Sequence, residues 1–415
     1  MTGSRGRACP PIHAPELAAV RPISRAPQEP FMRDTVVAMQ SSRIREVANA
    51  ALKNPDVLAF WFGESDEVTP MAVREAAVGS LERGETFYGH NLGLVELRAG
   101  LAQYTSGFHP GRYSERIAVT SSGVNALMLA TQLLAGAGDD VVAVVPVWPN
   151  LTQQPTMMGA RVQRVAITPD AKGVWHLDVQ GLMAAITQQT KVVLVNSPNN
   201  PTGWTLNRDE QRALLEHCRR TGTWIVADEV YERMWFGQGR CAPSFLDIAD
   251  AEDRLIVVHS FSKSFLMTGW RLGWMVVPEG GVLAQVGKLI EFNTSCPPEF
   301  VQHGGLAALA MGNDFVDGLV QRLRGCRDLL LQRLQQLPGV TVAVPNGGLY
   351  AFLKIEGQQD SLALAKRLVA EQGLGLAPGI AFGPEGEGWL RWCFASREPE
   401  RLNRGVDRLA RALKL

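Results

Sequence analysis

The sequence predicts an α/β protein with a mostly parallel sheet flanked by helices, joined to a smaller α+β domain. Two observations predict this fold class. From about residue 116, short apolar runs rich in β-branched residues alternate with longer helical stretches. The chain also has 415 residues, whereas a single hydrophobic core stops growing at about 250 to 300 residues. We therefore expect a large domain over residues 79–311 and a small domain formed by residues 34–78 and 312–415.

The apolar runs of the large domain are typical of strands that are buried on both faces, because they lack a polar alternation. Helices between such strands provide right-handed crossovers, which produce a parallel sheet covered on both sides. The predicted strands are residues 116–120, 141–145, 161–167, 191–196, 223–228 and 255–260, with helices at 123–135 and 208–220.

The last third of the sequence has a different pattern, that of a separate α+β unit. It opens with a long amphipathic helix over about residues 313–336. Strands follow at 340–344, 349–354 and 389–394, with helices at 361–372 and 398–413. No strand of the main sheet is evident before residue 116, so residues 35–75 are expected to pack with this unit.

The charge balance argues against two classes of partner. Lys and Arg number 41 and Asp and Glu number 41, so the chain lacks the basic excess that nucleic acid or an anionic membrane attracts. No run of 18 uncharged apolar residues predicts a membrane span. The six cysteines are scattered without metal-ligand spacing, which favours reduced thiols in a cytoplasmic protein and no metal site.

Residues 1–33 form a biased segment. They contain five arginines, two glutamates and six of the 24 prolines, which gives a net charge of +3 against −3 for the remainder. No apolar stretch follows the arginines, as a signal peptide would require, and the prolines prevent a continuous helix. We expect this tail to be disordered.

Polar residues follow three of the predicted strands, at the sheet edge where α/β proteins bind ligands. The strand at 191–196 runs into Ser-Pro-Asn-Asn-Pro-Thr-Gly, and the strand at 223–228 ends in Asp-Glu-Val-Tyr. The strand at 255–260 leads into Ser-Phe-Ser-Lys, with Arg271 eight residues after Lys263. A lysine sheltered at a strand end is readily desolvated, which lowers its pKa as a Schiff-base nucleophile requires.

These segments, together with Leu390-Arg391-Trp392, resemble the class I and II aminotransferases of fold type I, the aspartate aminotransferase-like group that uses pyridoxal 5′-phosphate. The resemblance covers roughly residues 40–412. It implies a homodimeric enzyme that moves an amino group from an L-amino acid to a 2-oxo acid by a ping-pong mechanism.

The resemblance implies a role for each residue at the strand ends. Lys263 would form the Schiff base with the cofactor aldehyde and shuttle the substrate proton. Asp228 would keep the pyridine nitrogen protonated, so that the ring accepts electrons. Asn200 and Tyr231 would donate hydrogen bonds to the ring oxygen; by itself, Asn200 could equally be a turn residue beside Pro201.

The same resemblance implies a phosphate site at the start of the helix predicted over 123–135, where backbone N–H groups attract anions. Ser122, Gly123 and Val124 would lie there, although Ser122 could also serve as an N-cap. Ser260, Ser262 and Arg271 would complete the site, with Arg271 as a permanently charged clamp.

The remaining site residues also come from the resemblance. Trp148 would stack on the pyridine ring, and a packing role is its alternative. Tyr88 would reach the phosphate of the partner subunit, or else pack within a turn. Arg391 would bind the substrate α-carboxylate, with an internal salt bridge as the alternative, and Gly63 would lie at the substrate site.

Glu291 departs from the pattern of the dicarboxylate-specific relatives. An arginine occupies its place in those enzymes, and this charge reversal disfavours aspartate. We therefore expect a donor that is neutral or basic at its far end, unless Glu291 faces solvent in a loop. Val124 likewise replaces a lysine that another branch of the family uses.

The sequence motifs also allow two alternative functions to be considered. A lyase or synthase of the same fold, such as a C–S β-lyase, would share Lys263 and Asp228. A non-catalytic transcriptional sensor would need a fused winged helix, for which 33 proline-rich residues are too few. Nucleotide-binding, metalloprotease and serine-hydrolase motifs are absent from the sequence.

Overall fold

The computed structural model describes residues 32–52 and 54–414. Most of the tail that the sequence predicts to be disordered, residues 1–31, therefore lies outside the described residues. Within the described part, the Arg33 guanidinium donates to the Met157 carbonyl at 2.6 Å.

The strands and helices alternate along the chain, as the sequence predicts. The strands are β1 Leu58–Ala59, β2 Ile117–Thr120, β3 Asp140–Val145, β4 Arg161–Pro169, β5 Trp175–Leu177, β6 Thr190–Asn196, β7 Trp224–Asp228, β8 Leu255–Ser260, β9 Gly273–Val276, β10 Val340–Val342, β11 Tyr350–Ile355, β12 Leu374–Gly375, β13 Ala377–Pro378 and β14 Trp389–Cys393. The α-helices are α1 Asp34–Val37, α2 Arg43–Asn49, α3 Met71–Glu82, α4 Val95–Ser106, α5 Gly123–Leu134, α6 Asn150–Met157, α7 Val179–Ala185, α8 Arg208–Thr221, α9 Phe261–Ser264, α10 Val282–Asn293, α11 Glu299–Ala310, α12 Gly312–Leu334, α13 Ser361–Gln372 and α14 Pro399–Leu413.

The main sheet has eight strands in the order β2-β9-β8-β7-β6-β3-β4-β5. The central strands β8, β7, β6, β3 and β4 pair in parallel. Strand β9 runs antiparallel to both β2 and β8, and β5 runs antiparallel to β4. The predicted fold class, a mostly parallel sheet flanked by helices, is confirmed.

Alternate residues of the central strands enter two separate apolar clusters. On β3, Val142 and Val144 belong to one cluster, whereas Val141 and Val145 belong to the other. Since successive side chains of a strand point to opposite faces, the sheet is buried on both sides. This burial explains why its strands read as continuous apolar runs.

Local signals define the helix ends. Asn207 caps α8 in a capping box with Glu210, and Gly222 closes the helix in a left-handed conformation. In the same way, the Asp360 side chain caps α13 and Gly373 ends it. The observed bounds of α8 and α13 therefore agree closely with the predicted ones.

The C-terminal residues form a second sheet, with four antiparallel strands in the order β10-β11-β14-β13. Helices α12, α13 and α14 pack around this sheet. The N-terminal segment joins this unit through α2, which packs on α13, and through β1, which pairs with β12 in parallel. The division into two domains is consistent with this arrangement but stays a prediction.

Several features differ from the sequence expectation. Strand β9 was not predicted, and neither were α3, α4, α10 and α11. The predicted boundary between residues 78 and 79 falls inside α3, which packs against α11 of the predicted large domain. In the described part of the chain, no helix combines the length and the apolar character needed to cross a bilayer.

Candidate active site

The carboxyl ends of β6, β7 and β8 open into a cavity of about 490 Å³, which the N-terminus of α5 and the strands of the second sheet close. Twelve of the residues predicted for the site line this cavity: Gly63, Gly123, Val124, Trp148, Asn200, Asp228, Tyr231, Ser260, Ser262, Lys263, Arg271 and Arg391. The cavity therefore brings together the segments that the sequence separates by up to about 330 residues.

Lys263 lies on the short helix α9, directly after β8, so its side chain starts at the sheet edge. Its Nζ donates to the Gly63 carbonyl at 2.6 Å and lies 5.8 Å from the centre of the Tyr231 ring. Burial lowers the pKa of Lys263 to about 8. Near physiological pH, the neutral fraction of the Lys263 amine is therefore larger than that of an exposed lysine.

Asp228 ends β7 and is 4% exposed. The Val230 amide is 3.4 Å from its Oδ1, and among the described residues no cationic side chain forms an ion pair with it. Burial raises the pKa of Asp228 to about 7, while the nearby charge of Lys263 opposes this rise. A buried carboxylate without a cation is costly, so this group is ready to pair with a cationic ligand.

Asn200 and Tyr231 meet between the two sheets. The Asn200 side chain approaches Tyr231 Oη at 3.5 Å, and its backbone amide donates to Asn196 Oδ1 at 2.7 Å. Both side chains are buried, and burial raises the pKa of Tyr231 well above its ordinary value. Tyr231 is thus a neutral phenol that can donate or accept a hydrogen bond.

Arg391 projects from β14 of the second sheet and is 1% exposed. It donates to Asn200 Oδ1 at 2.8 Å and to the Trp61 carbonyl, while its buried Nε has no hydrogen-bond partner in the structure. No carboxylate among the described residues forms a salt bridge with Arg391, so the alternative of an internal salt bridge finds no support. A buried guanidinium with a spare donor is suited to binding a carboxylate ligand.

The N-terminus of α5 forms another wall. Ser122 has a φ of 116° and its hydroxyl accepts from the Asn125 amide at 3.2 Å, so it acts as the N-cap. Gly273 on β9 makes this close packing possible, because a Cβ there would lie 2.6 Å from the Gly123 nitrogen. Ser122 itself is not among the residues that line the cavity.

Hydroxyl and guanidinium groups from the end of β8 and the segment after it line the cavity together with the start of α5. Ser260 donates to Ser262 Oγ at 2.9 Å and accepts from the Ser262 amide at 3.1 Å. Arg271 has a φ of 56° and donates to the Thr268 carbonyl at 2.7 Å. Together with the free N–H groups of the helix, these donors form an anion-binding arrangement.

Two residues singled out in the sequence lie away from this cavity. Tyr88 is 91% exposed. Glu291 is exposed on α10, not in a loop, and its Oε2 accepts from Asn91 at 3.3 Å. Neither residue lines the cavity of its own chain.

The cavity also includes residues that the sequence reasoning missed. Besides the predicted residues, the cavity is lined by Arg45, Phe62, Glu64, Leu127, Asn196, Val230, Thr268 and Tyr350. Tyr350 contacts a predicted residue directly, because its hydroxyl lies 2.6 Å from Tyr231 Oη. The sequence signal available for it was weak: it follows Gly347-Gly348-Leu349 at the start of a short strand.

The comparisons with known proteins agree with this geometry. Residues 56–409 match the family described as aminotransferase class I and II. The aspartate aminotransferase of Pyrococcus horikoshii is 30% identical over 92% of this chain and 97% of that protein.

Solved structures of similar proteins cover most of the chain. The aspartate aminotransferase of Thermotoga maritima superimposes with a TM-score of 0.85 at 30% identity, over 92% of this chain and all of that one. The aromatic aminotransferase of Pyrococcus horikoshii has a TM-score of 0.80 at 27% identity, over 89% of this chain and 98% of that one.

Proposed function

The chain belongs to the class I and II aminotransferases, and we propose that it binds pyridoxal 5′-phosphate in the cavity lined by Lys263, Asp228 and Arg391. The family predicted from the sequence is confirmed, and with it the activity of moving an amino group between an amino acid and a 2-oxo acid. The ping-pong order of the two half-reactions is part of the proposal.

One observation carries the assignment of the cofactor site. Lys263 and Asp228 line the same cavity, and burial moves both of their pKa values toward neutrality. The Asp228 carboxylate fits a protonated pyridine nitrogen, because it is buried and has no cationic partner among the described side chains. The donors at the start of α5 fit a phosphate.

Bound pyridoxal phosphate supplies an aldehyde that condenses with amines and a ring that accepts the electron pair released at the substrate Cα. Lys263 Nζ takes the Cα proton and returns it, since its lowered pKa leaves an appreciable neutral fraction. Asp228 holds the ring nitrogen protonated, and its own burial strengthens that ion pair. Tyr231 and Asn200 donate hydrogen bonds to the ring oxygen.

Arg391 orients the substrate. Its free Nε and its Nη groups offer a fork that matches a carboxylate bidentately. Gly63 also lines the cavity, and Trp148 on its wall would cover the ring face. Fixing the carboxylate in this way holds the Cα proton near Lys263 Nζ.

Ser260, Ser262 and Arg271 hold the phosphate with the first amides of α5, at Gly123 and Val124. Arg271 provides a permanent positive charge, and the helix terminus provides N–H donors that its own backbone leaves free. The Ser122 hydroxyl already caps α5, so its contribution is to hold the helix start in place.

We also propose that the enzyme is a homodimer in which Tyr88 completes the cavity of a second copy. Tyr88 and its neighbour Phe87 are 91% and 83% exposed, which is unusual for two adjacent aromatic side chains. The hydroxyl of Tyr88 would then donate to the phosphate of the partner's cofactor.

The loss of Lys263 tests the proposed chemistry. We expect Lys263→Ala to lower kcat for transamination by more than about 10³-fold, because proton transfer by a positioned group contributes about 10²- to 10⁴-fold. Lys288→Ala is the matched control, since Lys288 is exposed on α10 and, among the described residues, donates only to Gln285. Transamination by Lys263→Ala at a substantial fraction of the control rate would contradict the role of this lysine.

The identity of the donor is tested separately. Relatives named aspartate aminotransferases point to aspartate. We propose instead a donor that is neutral or basic at its far end, because Glu291 would repel a second carboxylate if it faces the partner's cavity. A panel of amino acids ranked by kcat/KM separates the two, and Glu291→Arg should raise the value for aspartate. Aspartate as the best wild-type donor would refute the Glu291 argument.

The same panel distinguishes the lyase alternative. An aminotransferase needs a 2-oxo acid to turn over repeatedly, whereas a C–S β-lyase releases pyruvate and ammonia from a cysteine conjugate without one. We expect turnover to depend on the oxo acid.

A further inference from the structure

Tyr350 connects the two halves of the proposed site. It lies at the start of β11 in the second sheet, is 1% exposed, and places its hydroxyl 2.6 Å from Tyr231 Oη. The Arg391 guanidinium lies over its ring, 4.3 Å from the ring centre. Arg391 also donates to Asn200, and Asn200 approaches Tyr231. The side chains of Tyr350, Tyr231, Asn200 and Arg391 therefore form a closed ring of contacts.

The structure makes room for this hydroxyl. A Cβ added at residue 63 would overlap Tyr350 Oη, so a side chain at position 63 would displace the Tyr350 hydroxyl. The rings of Tyr231 and Tyr350 meet edge to face, with their centres 5.7 Å apart. The tyrosine pair is therefore held in one arrangement by packing as well as by its hydrogen bond.

The hydrogen-bond partners leave two arrangements of the protons, because either tyrosine hydroxyl can donate to the other. Among the described side chains and carbonyls, Tyr231 Oη is the one partner of the Tyr350 hydroxyl. The Asn200 amide is the other group that approaches Tyr231 Oη, at 3.5 Å. If the Tyr350 proton occupies this bond, the Tyr231 proton is left free to point into the cavity.

We propose that Tyr350 is a positioning residue that donates to Tyr231 Oη and so directs the Tyr231 proton toward the ring oxygen of bound pyridoxal phosphate. This inference rests on the proposed function. Donation to Tyr231 also makes Tyr231 a stronger donor, because hydrogen bonds in a chain polarise one another. The deprotonated form of the cofactor chromophore is thereby stabilised.

The experiment is a pH titration of the visible absorbance of the enzyme loaded with pyridoxal phosphate. Tyr350→Phe keeps the ring and removes the hydroxyl. We expect the pKa of the chromophore to rise by about 0.3 to 1 pH unit, the range expected for the loss of one neutral hydrogen bond. The ionisable groups that face the tyrosine pair are unchanged in this variant: Glu64, Asp228, Lys263, Arg391 and Cys393.

Tyr113→Phe is the matched control. Tyr113 is also buried and its hydroxyl donates to the Pro110 carbonyl at 2.8 Å, but it does not line the cavity. Both variants lose one buried hydrogen bond, so a purely structural effect would lower their thermal stability alike. Only Tyr350→Phe should shift the chromophore titration.

A double-mutant cycle with Tyr231→Phe tests the route of the effect. We expect Tyr350→Phe to cause no further shift when Tyr231 has already lost its hydroxyl. Gly63→Ala perturbs the same bond by displacing the Tyr350 hydroxyl, and it should also raise the chromophore pKa. This variant gives a second reading if Tyr350→Phe folds poorly.

The outcomes separate the inference from its premise. A wild-type enzyme that takes up no pyridoxal phosphate overturns the proposed function and this inference with it. Two results overturn the inference alone, provided that the wild-type enzyme binds pyridoxal phosphate and its chromophore titrates. One is a Tyr350→Phe variant whose chromophore pKa is unchanged. The other is a Tyr350→Phe substitution that shifts the chromophore pKa fully even in the Tyr231→Phe background.

Discussion

At the scale of single residues, the site depends on charged groups that the fold buries before any ligand binds. Asp228 has a pKa raised to about 7 and Lys263 has one lowered to about 8, in both cases chiefly through burial. Each group thus loses part of its preference for the charged form. Burying these charged groups destabilises the cofactor-free protein. Binding of a cationic ring and an anionic phosphate offsets this destabilisation.

The Asp228→Asn variant tests how much the buried Asp228 carboxylate lowers the stability of the cofactor-free protein. The folded protein keeps the Asp228 proton up to about pH 7, whereas the unfolded chain loses it near pH 4. The folded state therefore binds more protons in this window, and the contribution of Asp228 to stability falls as pH rises from about 4 to 7.

We expect cofactor-free Asp228→Asn to be more stable than the wild type at pH 8, by on the order of 2 kcal/mol, and nearly equal to it at pH 4. Thermal unfolding at the two pH values measures this difference. With pyridoxal phosphate present the order should reverse, because the variant cannot pair with the ring nitrogen. A cofactor-free variant that unfolds at a lower temperature than the wild type at pH 8 would refute the account of this carboxylate.

Several site residues could be predicted because their positions depend on local sequence. Lys263 and Asp228 directly follow apolar strands, so their place at the sheet edge follows from the strand pattern. Tyr350 could not be predicted, because its contact with Tyr231 depends on how the two sheets face each other. Glu291 was expected either to disfavour aspartate at the site or to face solvent in a loop, but its position on a helix was not foreseen.

At the scale of elements, the phosphate end of the cavity depends on how closely α5 approaches β9. The start of α5 lies against Gly273, and a Cβ at that position would lie 2.6 Å from the Gly123 nitrogen and 2.9 Å from the His259 carbonyl oxygen. Backbone atoms on both sides cannot move aside cheaply. The helix terminus is thus positioned by the absence of a side chain on the neighbouring strand.

We expect Gly273→Ala to destabilise the protein by about 1 to 3 kcal/mol, the usual cost of overpacking, and to weaken cofactor binding because the amides of α5 move. Thermal unfolding and a binding titration with pyridoxal phosphate measure the two effects. Gly325→Ala is the control, since no described atom beyond the neighbouring backbone of α12 lies within 4 Å of a Cβ there. Unchanged affinity in Gly273→Ala would show that this helix start does not bind the phosphate.

The same contact shows a limit of sequence reasoning about elements. Parallel strands β3, β6, β7 and β8 were predictable because each is a long apolar run. Strand β9 has four residues, and its antiparallel pairing with both β2 and β8 is set by tertiary packing. The sequence therefore did not indicate that Gly273 on β9 positions the start of α5.

At the scale of the whole molecule, the active site is shared between the two sheets and, in our proposal, between two subunits. Asp228 lies at the end of β7 in the main sheet and Lys263 on α9, which follows β8, whereas the second sheet provides Arg391 and Tyr350. A movement of one unit against the other would change the distance between the carboxylate clamp and the lysine. Tyr88 would extend this division to the partner subunit.

Subunit mixing tests the shared site. Lys263→Ala and Tyr88→Ala should each impair activity as homodimers. After the two are unfolded and refolded together, half of the dimers should be mixed, and each of these has one intact site. We expect recovery to about a quarter of wild-type activity, given equal amounts and random pairing. No recovery, together with a mixed dimer detected by mass, would refute the role of Tyr88 across subunits.

Covalent trapping of the cofactor tests the central claim most directly. Purified protein incubated with pyridoxal phosphate should turn yellow, and borohydride should fix the cofactor to the peptide that contains Lys263, as read by mass spectrometry. Lys263→Ala should show no such label. Protein that stays colourless with pyridoxal phosphate, or a label that falls on another lysine, would contradict the assignment of this cavity as the catalytic site.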